Sequence, residues 1–184
     1  MYTIGIDLGG TNIVASVVDD EYKIIGTSKT PTNAPRSADE IFDDIAEVCE
    51  EAVKAANLTM ADIDSVGMGT PGTVNQDGII EFANNLAFNN VPARTMLAKR
   101  LNKPEEKIYI ENDANCAALG EAYAGVGNGA KDFVAVTLGT GVGSGVIIDG
   151  KIVNGVNYAG GECGHMVIAV SYTHLRAHET VLDL

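Results

Sequence analysis

The fold is decided by the stretch Tyr2-Thr-Ile-Gly-Ile-Asp-Leu-Gly-Gly10, which returns in altered form as Phe133-Val-Ala-Val-Thr-Leu-Gly-Thr-Gly141. Each copy reads as an apolar strand that runs into a glycine turn. The likeness continues beyond the turns, because residues 15–26 and 145–155 each read as a strand, an acidic turn and another strand. The sequence therefore predicts a duplicated unit, with a second lobe that opens near Lys131.

The elements of the first lobe follow from hydrophobic spacing. Apolar segments at residues 2–7, 13–18 and 22–28 predict a meander of three strands. Ser37 and Glu40 form a capping box ahead of apolar residues at helical spacing through Ala56, which predicts an amphipathic helix. Strands are then predicted at 65–68 and 107–110, and helices at 92–101 and 114–124. The order βββαβαβα predicts an α/β fold.

We predict three parts along the chain: an N-terminal α/β lobe at residues 1–130, the start of a second α/β lobe at 131–169, and a non-native tail at 170–184. A second lobe of similar size would run past Leu184, so we expect the chain to be cut off inside it. The tail continues no strand or helix pattern and resembles the in-frame translation of a sequencing-library adaptor. His174 and His178 in the tail have the helical spacing of a metal pair but no third ligand in view.

Composition excludes several classes of function. The formal net charge of -13 argues against nucleic acid or an anionic membrane as a partner, because Lys and Arg hold such partners. The cysteines at 49, 116 and 163 form no CxxC pair, which argues against a disulfide framework and fits a reducing cytoplasm. The sequence shows no signal-peptide pattern and no run of the ~20 apolar residues that a membrane span needs. A small-molecule partner is expected.

The first glycine turn, Asp7-Leu-Gly-Gly-Thr-Asn12, has the features of a phosphate site. Gly9 and Gly10 let backbone N–H groups approach a phosphate closely, and Thr11 and Asn12 add side-chain hydrogen bonds. The alternative is that the two glycines only close a hairpin turn between the two strands. Asp7 favours the phosphate interpretation, because an aspartate at the end of a buried strand beside such a turn suits Mg²⁺ and its waters.

The second glycine turn, Leu138-Gly-Thr-Gly-Val-Gly-Ser-Gly145, is similar in composition to a dinucleotide-binding fingerprint. That fingerprint requires a helix directly after the glycines. Here the sequence predicts a strand, an Asp149-Gly150 turn and another strand instead. We therefore expect this turn to repeat the first one, to face it across a cleft between the lobes, and to clamp the phosphates of ATP with it.

A candidate catalytic base lies in the segment Ile110-Glu-Asn-Asp-Ala-Asn115, between a predicted strand and a predicted helix. Asp113 at this place is explained equally by helix capping. Phosphoryl transfer to a hydroxyl needs a carboxylate within hydrogen-bond reach of the acceptor oxygen. Beside the predicted phosphate turns, Asp113 is the best candidate for that carboxylate.

Polar turns supply candidate sugar-binding residues. Ala159-Gly-Gly-Glu-Cys-Gly-His165 places Glu162 and His165 among glycines, where each can hold a sugar hydroxyl, although a polar loop with a lone histidine is an alternative. Gly72 in a Thr-Pro-Gly-Thr turn and Asn85 in an Asn-Asn-Leu segment are turn residues by default, and hydroxyl-binding residues if they line the cleft.

Together these motifs resemble the ROK family, which includes bacterial glucokinases, N-acetylhexosamine kinases, fructokinases and sugar-responsive repressors. The matching stretches are DLGGTN, GMGTPGTV, NNL, ENDAN, LGTGVGSGVI and GGECGHM, in family order from Met1 to about Ala169. The resemblance implies an actin-like ATPase, or ribonuclease H-like, architecture of two duplicated lobes with mixed sheets, the second incomplete here. It also implies a homodimer for the parent enzyme.

The resemblance assigns roles to residues of this sequence. It implies that Asp113 is the catalytic base, and that Asn112, Glu162 and His165 bind sugar hydroxyls. It implies that ATP phosphates are bound by Gly9, Gly10, Thr11 and Asn12 in one lobe and by Gly139, Thr140 and Gly141 in the other. In the family, a histidine equivalent to His165 also ligates a structural Zn²⁺ with three cysteines of a downstream CxCGxxGC segment. This sequence lacks that segment, so the zinc site is expected to be incomplete.

The implied activity is ATP- and Mg²⁺-dependent phosphorylation of a hexose, with glucose converted to glucose 6-phosphate. Kinases for N-acetylhexosamines, mannose and fructose use near-identical loops, so the sugar stays open. A ROK repressor needs a helix-turn-helix module, for which no room is expected ahead of the phosphate turn. A non-sugar ATPase disagrees with the GGECGH loop. An inactive shell is the remaining alternative, because an incomplete lobe exposes its apolar strands at residues 133–148.

Overall fold

A computed structural model describes residues 1–139 and 141–166. The strands are β1 (Tyr2–Leu8), β2 (Asn12–Val18), β3 (Ile24–Pro31), β4 (Ile63–Thr70), β5 (Thr73–Val74), β6 (Ile80–Ala83), β7 (Phe88–Val91), β8 (Ile108–Asn112), β9 (Phe133–Leu138), β10 (Val142–Ile148) and β11 (Lys151–Ile152). The helices are α1 (Ala38–Ala55), α2 (Ala93–Leu101) and α3 (Asp113–Ala124). The chain forms two compact units, one at residues 1–113 and one from Ala114 onward.

The first unit is built on a five-stranded mixed sheet in the order β3-β2-β1-β4-β8. β1, β2 and β3 pair antiparallel, as the predicted meander requires, whereas β4 and β8 join β1 in parallel. The parallel strands need crossover connections, which α1 and α2 provide. The predicted α/β fold with a mixed sheet and the order βββαβαβα is confirmed for the elements of this sheet and its helices.

The core lies between one face of the sheet and α1. The predicted capping box is present: the Glu40 N–H donates to the Ser37 hydroxyl at 3.3 Å, and the Glu40 carboxylate accepts from the Ser37 N–H at 3.0 Å. Alternate β1 residues point to this side, and the apolar face of α1 covers them. The buried side chains include Ile4, Ile6, Leu8, Ile41, Ile45, Val48 and Ala52.

Two features of the first unit differ from the sequence interpretation. β3 begins at Ile24 rather than Tyr22, because the Asp19 carboxylate accepts from the N–H groups of Glu21 and Lys23 and holds a tight turn. Tyr22 takes a positive φ of 62° in that turn. In addition, β5, β6 and β7 form a small antiparallel sheet between β4 and α2 that was not predicted, since its strands are too short to show a period.

The second unit contains the predicted repeat. β9, β10 and β11 form an antiparallel sheet, and Asp149 and Gly150 close a two-residue turn with φ values of 49° and 73°. The turn between β9 and β10 is one residue shorter than the turn between β1 and β2, since Leu138 pairs with Val142 whereas Leu8 pairs with Ile13. The repeat therefore preserves the strand–turn–strand order but not the turn length.

Burial also distinguishes the two copies. Leu8 is fully buried, whereas its counterpart Leu138 is 75% exposed, and Val134 and Val136 on the same face of β9 are exposed as well. The other face of this sheet packs on α3, where a Cβ at Gly145 would lie 2.9 Å from the Ala114 carbonyl oxygen. One face of the second sheet is thus apolar and open to solvent.

The division between the two compact units falls at Asp113, whereas the sequence places the lobe boundary at residue 130. The boundaries differ because α3 packs on β10 and therefore belongs to the second unit, whereas the sequence assigned this helix to the first lobe. The predicted parts at 131–169 and 170–184, with His174 and His178, extend outside the described residues. In the described ranges, no helix combines the length and apolar character that crossing a bilayer requires.

Two glycines of the sheet provide a matched test of this packing. A Cβ at Gly26 would overlap the Ala52 carbonyl oxygen and lie 2.7 Å from the Ala56 nitrogen, whereas a Cβ at Gly5 would meet nothing within 4 Å. We expect Gly26→Ala to lower the free energy of unfolding by about 2 kcal/mol, because β3 must move away from α1. We expect Gly5→Ala to change it by less than about 0.5 kcal/mol. Urea denaturation followed by circular dichroism measures both, and equal effects would contradict the packing described.

Candidate active site

The polar residues of the first unit gather where its parallel strands end. In the register of the sheet, Asp7 of β1 lies beside Gly69 of β4, which in turn lies beside Glu111 of β8. Asn112 ends β8 next to Thr70, the last residue of β4. The carboxyl ends of parallel strands are the usual place for ligand sites in α/β sheets, because loops and helix N-termini converge there.

The glycine turn between β1 and β2 lies at this edge. The Gly9 N–H donates to the Asn12 carbonyl at 2.9 Å, which closes the turn, and Thr11 and Asn12 are exposed. Gly10 packs closely on the Asn-Asn-Leu segment, since a Cβ placed on it would lie 3.4 Å from the Cβ of Asn85. The structure therefore brings the predicted phosphate turn and the predicted hydroxyl-binding Asn85 together.

Asp7 and Asp113 influence each other electrostatically at this edge of the sheet. The Asp7 side chain reaches solvent on one side, yet surrounding protein removes part of its hydration, and this desolvation raises the pKa of the carboxyl. The negative charge of Asp113 raises the pKa of Asp7 further. Two carboxylates held close without a cation repel each other, so the site favours a positive ligand.

Asp113 is placed by the direct passage from β8 into α3. It is the first residue of the helix, so its carboxylate lies at the positive end of the helix dipole rather than at the N-cap that the sequence alone also allowed. Asn112, the last residue of β8, donates through Nδ2 to the Gly72 carbonyl oxygen at 3.0 Å. This hydrogen bond connects the predicted Gly72 turn to the end of β8, directly before Asp113.

The conformation of Gly72 excludes other residues. Its φ is 92°, and a Cβ would overlap the Phe82 carbonyl oxygen in β6. A glycine is therefore required for the turn to lie against the small sheet that β6 belongs to. The unpredicted sheet thus has a role at the site, because it supports the turn that Asn112 binds.

The second unit carries the remaining predicted residues. The Gly139 N–H donates to the Gly141 carbonyl at 2.9 Å across the second glycine turn, and Thr140 lies outside the described residues. Glu162 and His165 lie at the two ends of one short turn, with 3.9 Å between the Glu162 Oε2 and His165 Nε2 atoms. Both side chains reach solvent, with 44% and 67% of their surfaces exposed, so they can bind an incoming molecule.

A buried hydroxyl holds this loop on its sheet. Ser144 of β10 donates to the Gly161 carbonyl and accepts from the Cys163 N–H at 3.0 Å. Gly164 lies so close to β10 that a Cβ would overlap the Val142 carbonyl oxygen. The Glu162 and His165 side chains are therefore presented by a fixed backbone. Ser144 was not singled out from the sequence, because a serine inside a glycine-rich run gives no signal of its own.

The donor set of the first unit fits a hard divalent cation. Asp7 and Asp113 supply carboxylate oxygens, which are the ligands that Mg²⁺ prefers alongside water and phosphate. Among the described residues, no group of three His, Cys, Asp or Glu side chains converges, either at Asp7 and Asp113 or around His165.

Comparison with known proteins decides the family. The model of the ROK family matches residues 3–179. This chain belongs to the ROK family. The membership confirms the family resemblance that the motifs indicate.

Similar ROK proteins include enzymes and regulators. The chain is 40% identical over 175 residues to a glucokinase of Streptomyces coelicolor, covering 95% of this chain and 49% of that protein. It is 35% identical over 173 residues to a xylose repressor of Caldicellulosiruptor bescii, covering 90% of this chain and 41% of that protein.

A solved structure supports the fold. The ROK family glucokinase of Streptomyces griseus, crystallised with glucose and AMPPNP, matches with a TM-score of 0.81 and 36% identity, over 92% of this chain and 51% of that one. The chain spans about half the length of the curated glucokinases it matches. The α/β architecture described above is therefore that of ROK sugar kinases.

Desolvation of Asp7, together with the charge of Asp113, predicts a gain in stability when the Asp7 charge is removed. The folded state raises the pKa of Asp7, so the charged carboxyl lowers the free energy of unfolding at neutral pH. At low pH the carboxyl is protonated, and this cost disappears. We expect Asp7→Asn to raise the free energy of unfolding at pH 7 by less than about 1 kcal/mol, since water screens the exposed side. The gain should shrink as the pH falls through the raised pKa. Denaturation at several pH values measures it, with Asp77→Asn as the control; a loss of stability at pH 7 would contradict the cost of the charged Asp7.

Proposed function

We propose that this ROK chain is part of an ATP-dependent hexose kinase that converts glucose to glucose 6-phosphate. The observation that carries the proposal is the placement of Asp7 and Asp113 at the strand ends that also hold the Gly9–Asn12 turn. This edge offers a candidate base, a candidate cation site and a turn of backbone donors together. The similarity to glucokinases, one of them crystallised with glucose and AMPPNP, supports both substrates.

In the proposed reaction, a hydroxyl oxygen of the sugar forms a bond to the γ-phosphorus of ATP while the bond to the bridging β–γ oxygen breaks. ADP leaves, and the hydroxyl proton passes to the carboxylate of Asp113. Asp113 suits this role because it is exposed and stands first in α3. The role of general base is assigned to it alone, since Asp7 is proposed to bind the cation.

The glycine turn would bind the phosphates. Among the described residues, the N–H groups of Gly10 and Thr11 donate no hydrogen bond to a carbonyl or side chain, so they remain donors for a ligand. Gly9 and Asn12 close the turn beneath them. In the second unit, Gly139, Thr140 and Gly141 are proposed to add phosphate contacts, as the family resemblance implies.

Mg²⁺ would be held next to Asp7, where it supplies positive charge to the transferred phosphoryl group when bound. The residues of the chain then perform the remaining tasks. Without the cation, desolvation and the charge of Asp113 raise the pKa of Asp7. A bound cation would favour the charged form of the Asp7 carboxyl.

Polar side chains of the chain would bind the hydroxyl groups of the sugar. Glu162 and His165 can each bond a hydroxyl, the carboxylate as acceptor and the imidazole as donor or acceptor. In the first unit, the proposed sugar-binding residues are Asn112 and Asn85. Asn112 also holds the Gly72 turn, with 3.0 Å between its Nδ2 atom and the Gly72 carbonyl oxygen. Glucose is proposed as the acceptor, and N-acetylglucosamine, mannose and fructose are the competitors to be tested beside it.

A sugar-sensing regulator is the second candidate, because the chain is similar to a xylose repressor as well. A regulator of this kind would bind sugar without consuming ATP. The two functions therefore differ in one measurable product, which is ADP.

The proposal predicts the effect of removing the base. With Mg-ATP and glucose, we expect sugar-dependent ADP release by the wild-type chain and a decrease of about 10²–10⁴-fold in Asp113→Asn, since the asparagine cannot accept a proton. Glucose and Mg-ATP binding, measured by calorimetry, should persist in the variant. Asp77→Asn, an exposed carboxylate away from the strand ends, is the control.

Three outcomes of this assay separate the alternatives. Glucose binding without ADP release in the wild type would favour the regulator. ADP release that does not depend on sugar would indicate an ATPase. Equal rates in wild type and Asp113→Asn would remove Asp113 from the role of base.

A further inference from the structure

The inference concerns Thr32, a residue directly after β3 that no motif singled out. Its side chain is completely buried, although it carries a hydroxyl. A buried hydroxyl is costly unless it is hydrogen-bonded, so its partner indicates why it is there. The partner is the glycine turn: the Thr32 hydroxyl donates to the Gly9 carbonyl oxygen at 2.6 Å.

Thr32 holds the turn at a second point through its backbone. The Thr32 N–H donates to the Thr11 carbonyl at 2.9 Å, so that one residue binds the carbonyl groups on both sides of Gly10. The conformation of the turn therefore depends on Thr32 as well as on β1 and β2.

The two bonds orient the donors that a phosphate would meet. In a planar trans peptide, the C=O and the following N–H point in opposite directions. Because the carbonyl of Gly9 points towards Thr32, the N–H group of Gly10, one of the two proposed phosphate donors, must point away from it. Preorganised backbone donors bind an anion better than mobile ones, since less order is lost on binding.

A chain of polar contacts connects this support to α1. Arg36 donates through Nε to the Thr32 carbonyl oxygen at 2.8 Å, and its Nη2 atom pairs with the carboxylate of Asp44 in α1. Both side chains of this ion pair are largely shielded from solvent, at 22% and 30% exposure. Thr32 is thus itself fixed by the helix that covers the core.

We propose that Thr32 is a positioning residue for nucleotide: it holds the Gly9–Asn12 turn in the conformation whose N–H groups bind the phosphates of ATP. The proposal rests on the proposed kinase function for its ligand. The hydrogen bonds themselves belong to the structure and can be tested without any ligand.

The test uses two substitutions and a control in the full chain. Thr32→Val preserves the shape of the side chain but removes the hydroxyl, Thr32→Ser retains the hydroxyl, and Thr30→Val makes the same change on β3 at a residue whose hydroxyl does not bind the turn. Amide hydrogen exchange by NMR reports the order of the turn through the Gly9 N–H, which donates to Asn12. Calorimetry reports the dissociation constants of Mg-ATP and of glucose.

We expect exchange at Gly9 to be roughly tenfold faster in Thr32→Val, and Mg-ATP to bind roughly tenfold more weakly, as loss of one hydrogen bond to a buried carbonyl implies. Thr32→Ser should restore both values to within about twofold, and Thr30→Val should leave both unchanged. Glucose binding should stay the same in all variants, which a general loss of folding would not allow.

Two results would overturn the proposal, and they are distinct. Equal Gly9 exchange and equal Mg-ATP affinity in wild type and Thr32→Val would show that Thr32 does not position the turn. Wild type that binds no Mg-ATP would contradict the proposed function, and with it any role of Thr32 in binding nucleotide, whatever the exchange rates show.

Discussion

The parallel pairing of β1 with β4, and of β4 with β8, is the constraint on which the rest of the site depends. Because the three strands run in one direction, the residues that end them must share an edge of the sheet. Asp7, the Gly72 turn and Asp113 come from distant parts of the chain, yet this register brings them to one place. If β4 ran antiparallel to β1, its last residue and the Gly72 turn would lie at the opposite edge of the sheet from Asp7.

The same strand register places two carboxylates near each other, which costs free energy that a bound cation would offset. Two carboxylates near one strand edge repel each other, and the raised pKa of Asp7 reports that repulsion together with its desolvation. Buried hydroxyls then hold the neighbouring loops: Thr32 binds the first glycine turn, and Ser144 binds the loop of Glu162 and His165. Each unit thus combines exposed polar side chains with a rigid backbone, which is how functional groups are kept in a reactive geometry.

How much the sequence could predict depended on the range of the interaction. The capping box of α1, the strand–turn–strand repeat and the Asp149-Gly150 hairpin were predictable, because each is encoded by residues close in sequence. The small sheet of β5, β6 and β7 was missed, since strands of two to four residues show no period. Thr32 was missed for another reason: its importance lies in a hydrogen bond to Gly9, a residue of a different strand connection, and a single threonine after a strand carries no pattern.

Asp113 lies close enough to Asp7 at the strand ends for its charge to add to the raised pKa of Asp7, and carbon-13 NMR titration of the Asp7 carboxyl tests this directly. In the wild type we expect the pKa of Asp7 to lie above its ordinary value. In Asp113→Asn the pKa should fall but remain raised, because desolvation is the larger cause and persists. An ordinary pKa in the wild type, or one that Asp113→Asn leaves unchanged, would contradict the account.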